Sequence, residues 1–291
     1  MLDGPIRPLQ EASLRALAHI RDEIEGLFSR YGSDTSHVTS TVKMLSSYLM
    51  SRSQTTSFLI SGGYCWDAEI ILRAFYEAAA KVLFICFAED NEKSSLADEY
   101  WHGFRPISDR RTGRKAAFAE QLFEKESVSA LVFNALQDKQ LFELDSGPSP
   151  AERKRLEQKW SFSEIIETLE RYALQGKPTK QIKSLLHIYG MASHLIHADH
   201  AAMELIVDRA TRVPEERGIV QTAHAARMMT DQVALAWLCA DAIRQHFHGQ
   251  FIDAMALKTA YEETMRLSKP LQAAFEESQR EFYARWGHTP D

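Results

Sequence analysis

The chain has 291 residues, of which 45% are hydrophobic and 25% charged, and a formal net charge of −6. This is the composition of a folded chain with ample apolar material for a core. It argues against a protein built chiefly to grip nucleic acid, which shows an excess of Lys and Arg.

Three cysteines, Cys65, Cys86 and Cys239, stand far apart among apolar residues. Neither zinc-ligand spacing nor a disulfide framework is present, so buried free thiols in a reducing compartment are expected. The N-terminal stretch MLDGPIRPLQEAS has no apolar signal-peptide core. The longest apolar run, Ala78 to Ala88, contains Lys81. It falls short of the roughly 20 residues that a membrane span needs. The expected location is cytoplasmic, with no membrane insertion.

The 13 Gly and 9 Pro cluster at a few places, and strong β-type alternation is absent. An all-α fold is therefore expected. In chain order, helices are predicted near 8–31, 35–60, 64–89, 94–104, 110–138, 150–175, 178–209, 214–248, 252–266 and 269–286. Residues 35–57 are rich in Ser and Thr, but Val38, Val42, Leu45, Leu49 and Met50 recur at near-helical spacing. The segment 66–88 is apolar nearly all round, which predicts a helix buried by other helices. The breaks at 105–113 and 145–150 read as loops. The basic stretch Arg105, Arg110, Arg111, Arg114 and Lys115 reads as a solvated helix start.

Ser149-Pro150-Ala151-Glu152 is a capping box with Pro in the first turn, and Ser161 to Glu164 is a second box inside a continuing helix. Gly32, Gly176 and Gly249 follow helical runs and read as C-terminal caps. The segment 219–243 is almost as apolar as 66–88. Leu271, Phe275, Phe282 and Trp286 form a stripe that suits a docked closing helix. The expected architecture is a multi-helix bundle with a buried central helix near 66–88. It forms a single helical domain over 1–291, with its core in 20–248 and the C-terminal helices of 252–286 packed on it.

Polar residues in a buried helix are informative. Glu69, Arg73 and Glu77 are spaced i, i+4, i+8 along one side of 66–88. A buried guanidinium must be paired, so Arg73 is expected on a carboxylate. On a continuous helix over 178–209, Tyr189, Ser193, His197, His200 and Glu204 fall within an arc of roughly 60°.

Packed against 66–88, that face brings Arg73 and Glu77 to Ser193 and His197. Such a cluster serves as a hydrogen-bonded lock on helix register. It also serves as a ligand or catalytic site, with His197 as general acid or base, Arg73 as anion clamp and Glu77 orienting Arg73. The triplet His194, His197 and His200 presents imidazoles at successive rotations that do not converge, and no HExxH pattern accompanies it. No metal or cofactor is expected. His224 and Arg227 on the second apolar helix can join the network, His224 as a satisfied core histidine. No GxSxG elbow or Gly-rich phosphate loop is present.

The combination LRAFYEAAAKVLFI, KWSFSEI and IYGMASHLIHADH resembles an uncharacterised bacterial family of all-helical domains. The likeness rests on Arg73 and Glu77, then on Tyr189, Ser193 and His197, and covers about 60–205. It implies a helical fold of no assigned function. A more distant likeness is to HEPN-type helical domains, among them metal-independent ribonucleases and toxins of phage defence, whose signature is an Arg followed four to six residues later by His on one helix, with a polar residue just after the Arg. Here the formal matches are Arg30-x6-His37, which crosses Gly32, and Arg217-x6-His224, where Gly218 stands in for the polar residue.

Two functions are thus carried forward. One is a ligand-binding or regulatory bundle using Arg73, Glu77, Tyr189, Ser193, His197, His200 and Glu204 for a small anionic ligand, with a homodimer as a plausible assembly. The other is a HEPN-like ribonuclease or toxin-type domain acting on RNA through Arg73 and His197.

Overall fold

The computed structural model describes residues 6–33, 36–138, 142, 148–180 and 182–285, with side chains described to residue 280. Every regular element among the described residues is helical. The residues fall into two compact units, one drawn from Met1–Phe87 and Ile166–Asp291, the other from Ala88–Ile165.

The larger unit is a bundle around one helix. Its elements are α1 (Arg7–Tyr31), α2 (His37–Ser61), α3 (Cys65–Phe87), and then, after the second unit, most of α8 (Phe162–Leu174). They are followed by α9 (Leu185–His197), α10 (His200–Thr211), α11 (Pro214–His246) and α12 (Ala254–Arg285). Helix α3 packs on α2, α9 and α11, and α1 packs on α11 and α12. The all-round apolar pattern of 66–88 is explained by this placement, because Leu72, Phe75, Tyr76, Val82, Leu83 and Ile85 are all sealed from solvent.

Polar threads fix the packing. The buried carboxylate of Glu23 on α1 accepts the backbone N–H groups of Ile252 (2.7 Å) and Asp253 (2.6 Å), and so caps the entry to α12 from a distant helix. Ser53 of α2 donates to Gln232 Oε1 of α11 at 3.0 Å. The Cys239 thiol on α11 lies 3.7 Å from the Ala79 carbonyl of α3, and all three cysteines are free and buried.

The smaller unit holds α4 (Asp90–Asp98), a π-helical turn at Glu99–Gly103, α5 (Arg105–Glu120), α6 (Val128–Ala135) and α7 (Pro150–Lys159). Tyr100, Phe104 and Trp160 pack their rings together, while Glu99 accepts from Trp160 Nε1 (3.1 Å) and Lys159 Nζ (2.7 Å). In the basic stretch, Arg105 pairs with Asp109 and Arg111 with Glu157.

The structure corrects several expected boundaries. Predicted helix 110–138 is two helices, because Ser127 caps a new start by accepting from the Ala130 N–H. Predicted helix 150–175 is also two. The box at Ser149–Glu152 forms as expected, and Ser161 opens α8 by accepting from the Glu164 N–H rather than lying inside a helix.

Conversely, 252–266 and 269–286 are one helix that runs through Pro270. A proline inside a helix costs about 3 kcal/mol. Here Leu257, Ala260, Thr264, Ser268 and Leu271 are buried along one stripe, and that burial offsets it.

Among the three glycines read as caps, only Gly176 takes a left-handed backbone (φ 88°). At the end of α11 His248 does so instead (φ 51°), and Gly249 is small because a Cβ there would meet the Tyr31 ring at 2.7 Å. The loop expected at 145–150 lies partly, and Trp286 wholly, outside the described residues.

Candidate functional site

The stripe expected on one helix over 178–209 is divided. Helix α9 ends at His197, Ala198 adopts a left-handed backbone (φ 48°), and Asp199 caps the start of α10 by accepting from the Ala202 N–H. Two residues out of the helical spiral reset its phase, so His200 and Glu204 no longer continue the face of Tyr189 and Ser193.

The structure brings four of the expected residues together. Arg73 donates to the Tyr189 hydroxyl (2.7 Å) and to Ser193 Oγ (3.3 Å), and Tyr189 donates to Glu77 Oε1 (2.7 Å). The guanidinium also stacks on the Tyr189 ring at 4.4 Å and lies 3.4 Å from Glu77. This joins α3 to α9 at the margin of the bundle, where the Glu77 side chain is 37% exposed. His197 is exposed, and among the described residues no hydrogen bond links it to Arg73, Glu77 or Ser193. His194 Nδ1 is 2.6 Å from Asp199, and His200 is 3.5 Å from Glu204 on the open surface.

A second cluster lies deeper, on the same helix one turn earlier. The Glu69 side chain is fully buried (0% exposed) and receives both His224 Nε2 (2.7 Å) and the guanidinium of Arg227. Arg227 also donates to Asp231 Oδ2 (2.8 Å), which accepts from the Tyr76 hydroxyl at 2.7 Å. Helix α11 supplies His224, Arg227 and Asp231 at a spacing that sets all three against α3.

Burial alone would raise the Glu69 carboxyl, but the His224 hydrogen bond and the Arg227 charge outweigh it and hold the pKa below its ordinary value. Burial raises Asp231 despite Arg227. Burial likewise pushes the Tyr76 hydroxyl far up, with the Asp231 charge adding to it. Burial is the largest single influence on Arg227 and works against its charge, but Glu69, Tyr76 and Asp231 together outweigh it, so its proton is held more firmly than usual.

His224 is neutral for a geometric reason. Its Nε2–H donates to Glu69, and its Nδ1 lies 2.7 Å from Arg209 NH1 of α10. A guanidinium only donates, so Nδ1 must carry the lone pair. Burial is the largest cause lowering the His224 pKa; the Glu69 hydrogen bond opposes it, and the Arg227 and Arg209 charges reinforce it.

Arg209 stacks on Trp66 at 4.2 Å and is partly buried, which lowers its own pKa. Among the described residues it makes no ion pair, and its Nε is buried without a hydrogen-bond partner. One oxygen of Glu69, Oε1, is likewise unpartnered.

Arg209, His224 and Arg227 border a cleft of about 350 Å³. Its remaining walls are mainly apolar, from Met191, Leu205, Val220, Ala223 and Phe275, with Trp66 beside Arg209 and with Gln272 and Glu276 on α12. Sequence reading named Glu69, His224 and Arg227 but not Arg209, Asp231 or the cleft. The one available signal is the run of ionisable residues His224, Arg227 and Asp231 on successive turns of the otherwise apolar helix 219–243.

Fold and site together define an all-α bundle with an ion-pair network buried against its central helix and a largely apolar cleft, bordered by Arg209, beside it. The chain belongs to a family of unknown function (DUF5677), whose profile matches residues 30–212. The match includes Glu69, Arg73, Tyr189 and Arg209 and stops before α11. No curated protein and no solved structure matches the chain.

Proposed function

We propose that the chain is a binding module for a small organic anion, seated in the α9–α12 cleft and held by Arg209. The observation that carries this reading is the state of Arg209 itself. Among the described residues this partly buried guanidinium has no carboxylate in ion-pair contact, with Asp208 and Glu69 acting on it only through their charge, and such a group is retained where something else completes its pairing. Trp66 and His224 hold its plane in place, which reduces the ordering needed when an anion arrives.

The apolar walls select a ligand with an apolar body, and Glu276 on the α12 wall disfavours a second negative charge. The Arg73–Glu77–Tyr189–Ser193 cluster is read as a register lock between α3 and α9, since its three hydrogen bonds all cross between these two helices.

Titration with phenylbutyrate, with acetate as a headgroup-only control, tests the proposal through Trp66 fluorescence and calorimetry. Wild type is expected to bind phenylbutyrate saturably and acetate far more weakly. Arg209→Ala is expected to lose at least about tenfold in affinity, the worth of one charge-assisted contact, while keeping its circular dichroism. Absence of saturable binding, or equal binding by Arg209→Ala, would overturn it. Cleavage of RNA by wild type, abolished in folded Arg73→Ala and His197→Ala, would move the reading to the HEPN-like ribonuclease.

A further inference from the structure

Resting on that reading of the cleft, we infer that Arg209 is a removable cap on a carboxylate-backed base, the Glu69–His224 pair. The pair has the parts of an acid–base site. A fully buried carboxylate accepts Nε2–H at 2.7 Å and so fixes one tautomer, which directs the lone pair of Nδ1 away from Glu69. His224 borders the cleft. What keeps Nδ1 from acting is the Arg209 N–H, 2.7 Å away. The same guanidinium is the group proposed to hold the anion.

The two roles compete. When an anionic oxygen draws the Arg209 N–H to itself, the N–H···Nδ1 hydrogen bond breaks and an N–H···O bond to the ligand forms. The Nδ1 lone pair is then free to take a proton from solvent or from the ligand's own acidic group. The resulting imidazolium is held by Glu69; the N–H bond formed at Nδ1 is matched by the O–H bond broken in the donor, which keeps the electron pair.

The charged and titratable groups facing His224 from each neighbouring helix set the sign. Glu69 on α3 faces it, with Arg209 on α10, Arg227 on α11 and Glu276 on α12 around the cleft, while the Cys65 thiol on α3 lies near Arg209 and Glu69. Of these, Glu69 favours the imidazolium, while Arg227 and Arg209 oppose it. Neutralising Arg209 with a ligand removes one of the two opposing charges, and Arg227 stays balanced by Glu69 and Asp231.

The test is nitrogen-15 NMR of the histidine rings, with His224 assigned by its loss in His224→Gln. Wild type without ligand is expected to show His224 neutral, with the proton on Nε2, to below the ordinary imidazole range. Arg209→Met is expected to shift the His224 titration upward. Saturating wild type with phenylbutyrate is expected to do the same. Calorimetry at about pH 6.5, near the ordinary imidazole value, is then expected to show net proton uptake, as heats that differ between buffers. Phenylbutyrate stays ionised at that pH, so the proton belongs to the protein.

A His224 titration unmoved in Arg209→Met, or phenylbutyrate bound with His224 still neutral and no proton taken up, would overturn the cap. The latter result leaves anion binding itself standing. Should Arg209→Met not fold, the ligand arm on wild type decides alone.

Discussion

Helix α3 carries two polar clusters one turn apart, and their fates differ. Arg73 and Glu77 sit at the rim against α9, in a network that bonds Arg73, Tyr189, Ser193 and Glu77 to one another and whose side chains touch water. Glu69 sits beneath α11, where water is excluded and every charge must be answered by the protein. The same residue types at the same helical spacing therefore give a modest surface tie in one place and a high-stakes core network in the other. Among the described residues each cluster leaves one buried polar atom without a hydrogen bond, Arg73 Nε at the rim and Glu69 Oε1 in the core, but it is the deeper cluster that borders the cleft.

The largest effect expected of this difference is at Glu69. Glu69→Ala strips Arg227 and His224 of their shared partner and is expected to lower unfolding stability by about 3–5 kcal/mol in urea titrations. A loss below about 1 kcal/mol would show that the deep cluster is not sealed as described.

The next effect is in pH. His224 has a lowered pKa in the fold, so below its ordinary value of 6.5 the unfolded chain binds more protons than the folded one. Stability from this residue is complete above pH 6.5 and is lost as pH falls towards the folded value. Its slope is at most about 1.4 kcal/mol per pH unit. Glu69, also lowered, acts in the same direction below 4.5, whereas Asp231, raised, acts in the opposite direction above 3.8. Urea midpoints at two pH values on either side of the His224 window should diverge more in wild type than in His224→Gln. Equal slopes would remove His224 from the acid response.

The smallest effect is at the rim. A double-mutant cycle of Arg73→Ala with Tyr189→Phe is expected to give a coupling of roughly 0.5–1 kcal/mol, reduced by salt, because the network is partly exposed. A coupling above about 2 kcal/mol would make the rim as consequential as the core and erase the contrast.

Much of the fold was legible in the sequence. An apolar pattern on every side of 66–88 dictates a buried helix, and local chemistry at Ser149 and Glu152 dictates a helix start. The break at Ala198 was not legible. Neither Gly nor Pro marks it, and the left-handed turn is set by an alanine between His197 and the capping Asp199. The run through Pro270 was missed because a local penalty was overruled by a tertiary stripe.

The candidate site was legible by halves. Spacing along one helix shows that Glu69, Arg73 and Glu77 share a side. It does not show that a helix some 150 positions later covers the first and leaves the other two at the edge. Arg209 carried no signal at all, since its meaning lies in having no ion-pair partner among the described residues, which only the packing shows.

The seam between α3 and α11 holds more than charge. Cys65 and Cys86 lie on one helix and Cys239 on the other, all buried, and burial raises the Cys65 and Cys239 thiols away from the reactive thiolate. An electrophile or oxidant reaches the innermost of these sulfurs only when the two helices part. The chemical state of Cys239 in an aged sample is therefore a running record of how often the centre of the bundle has opened.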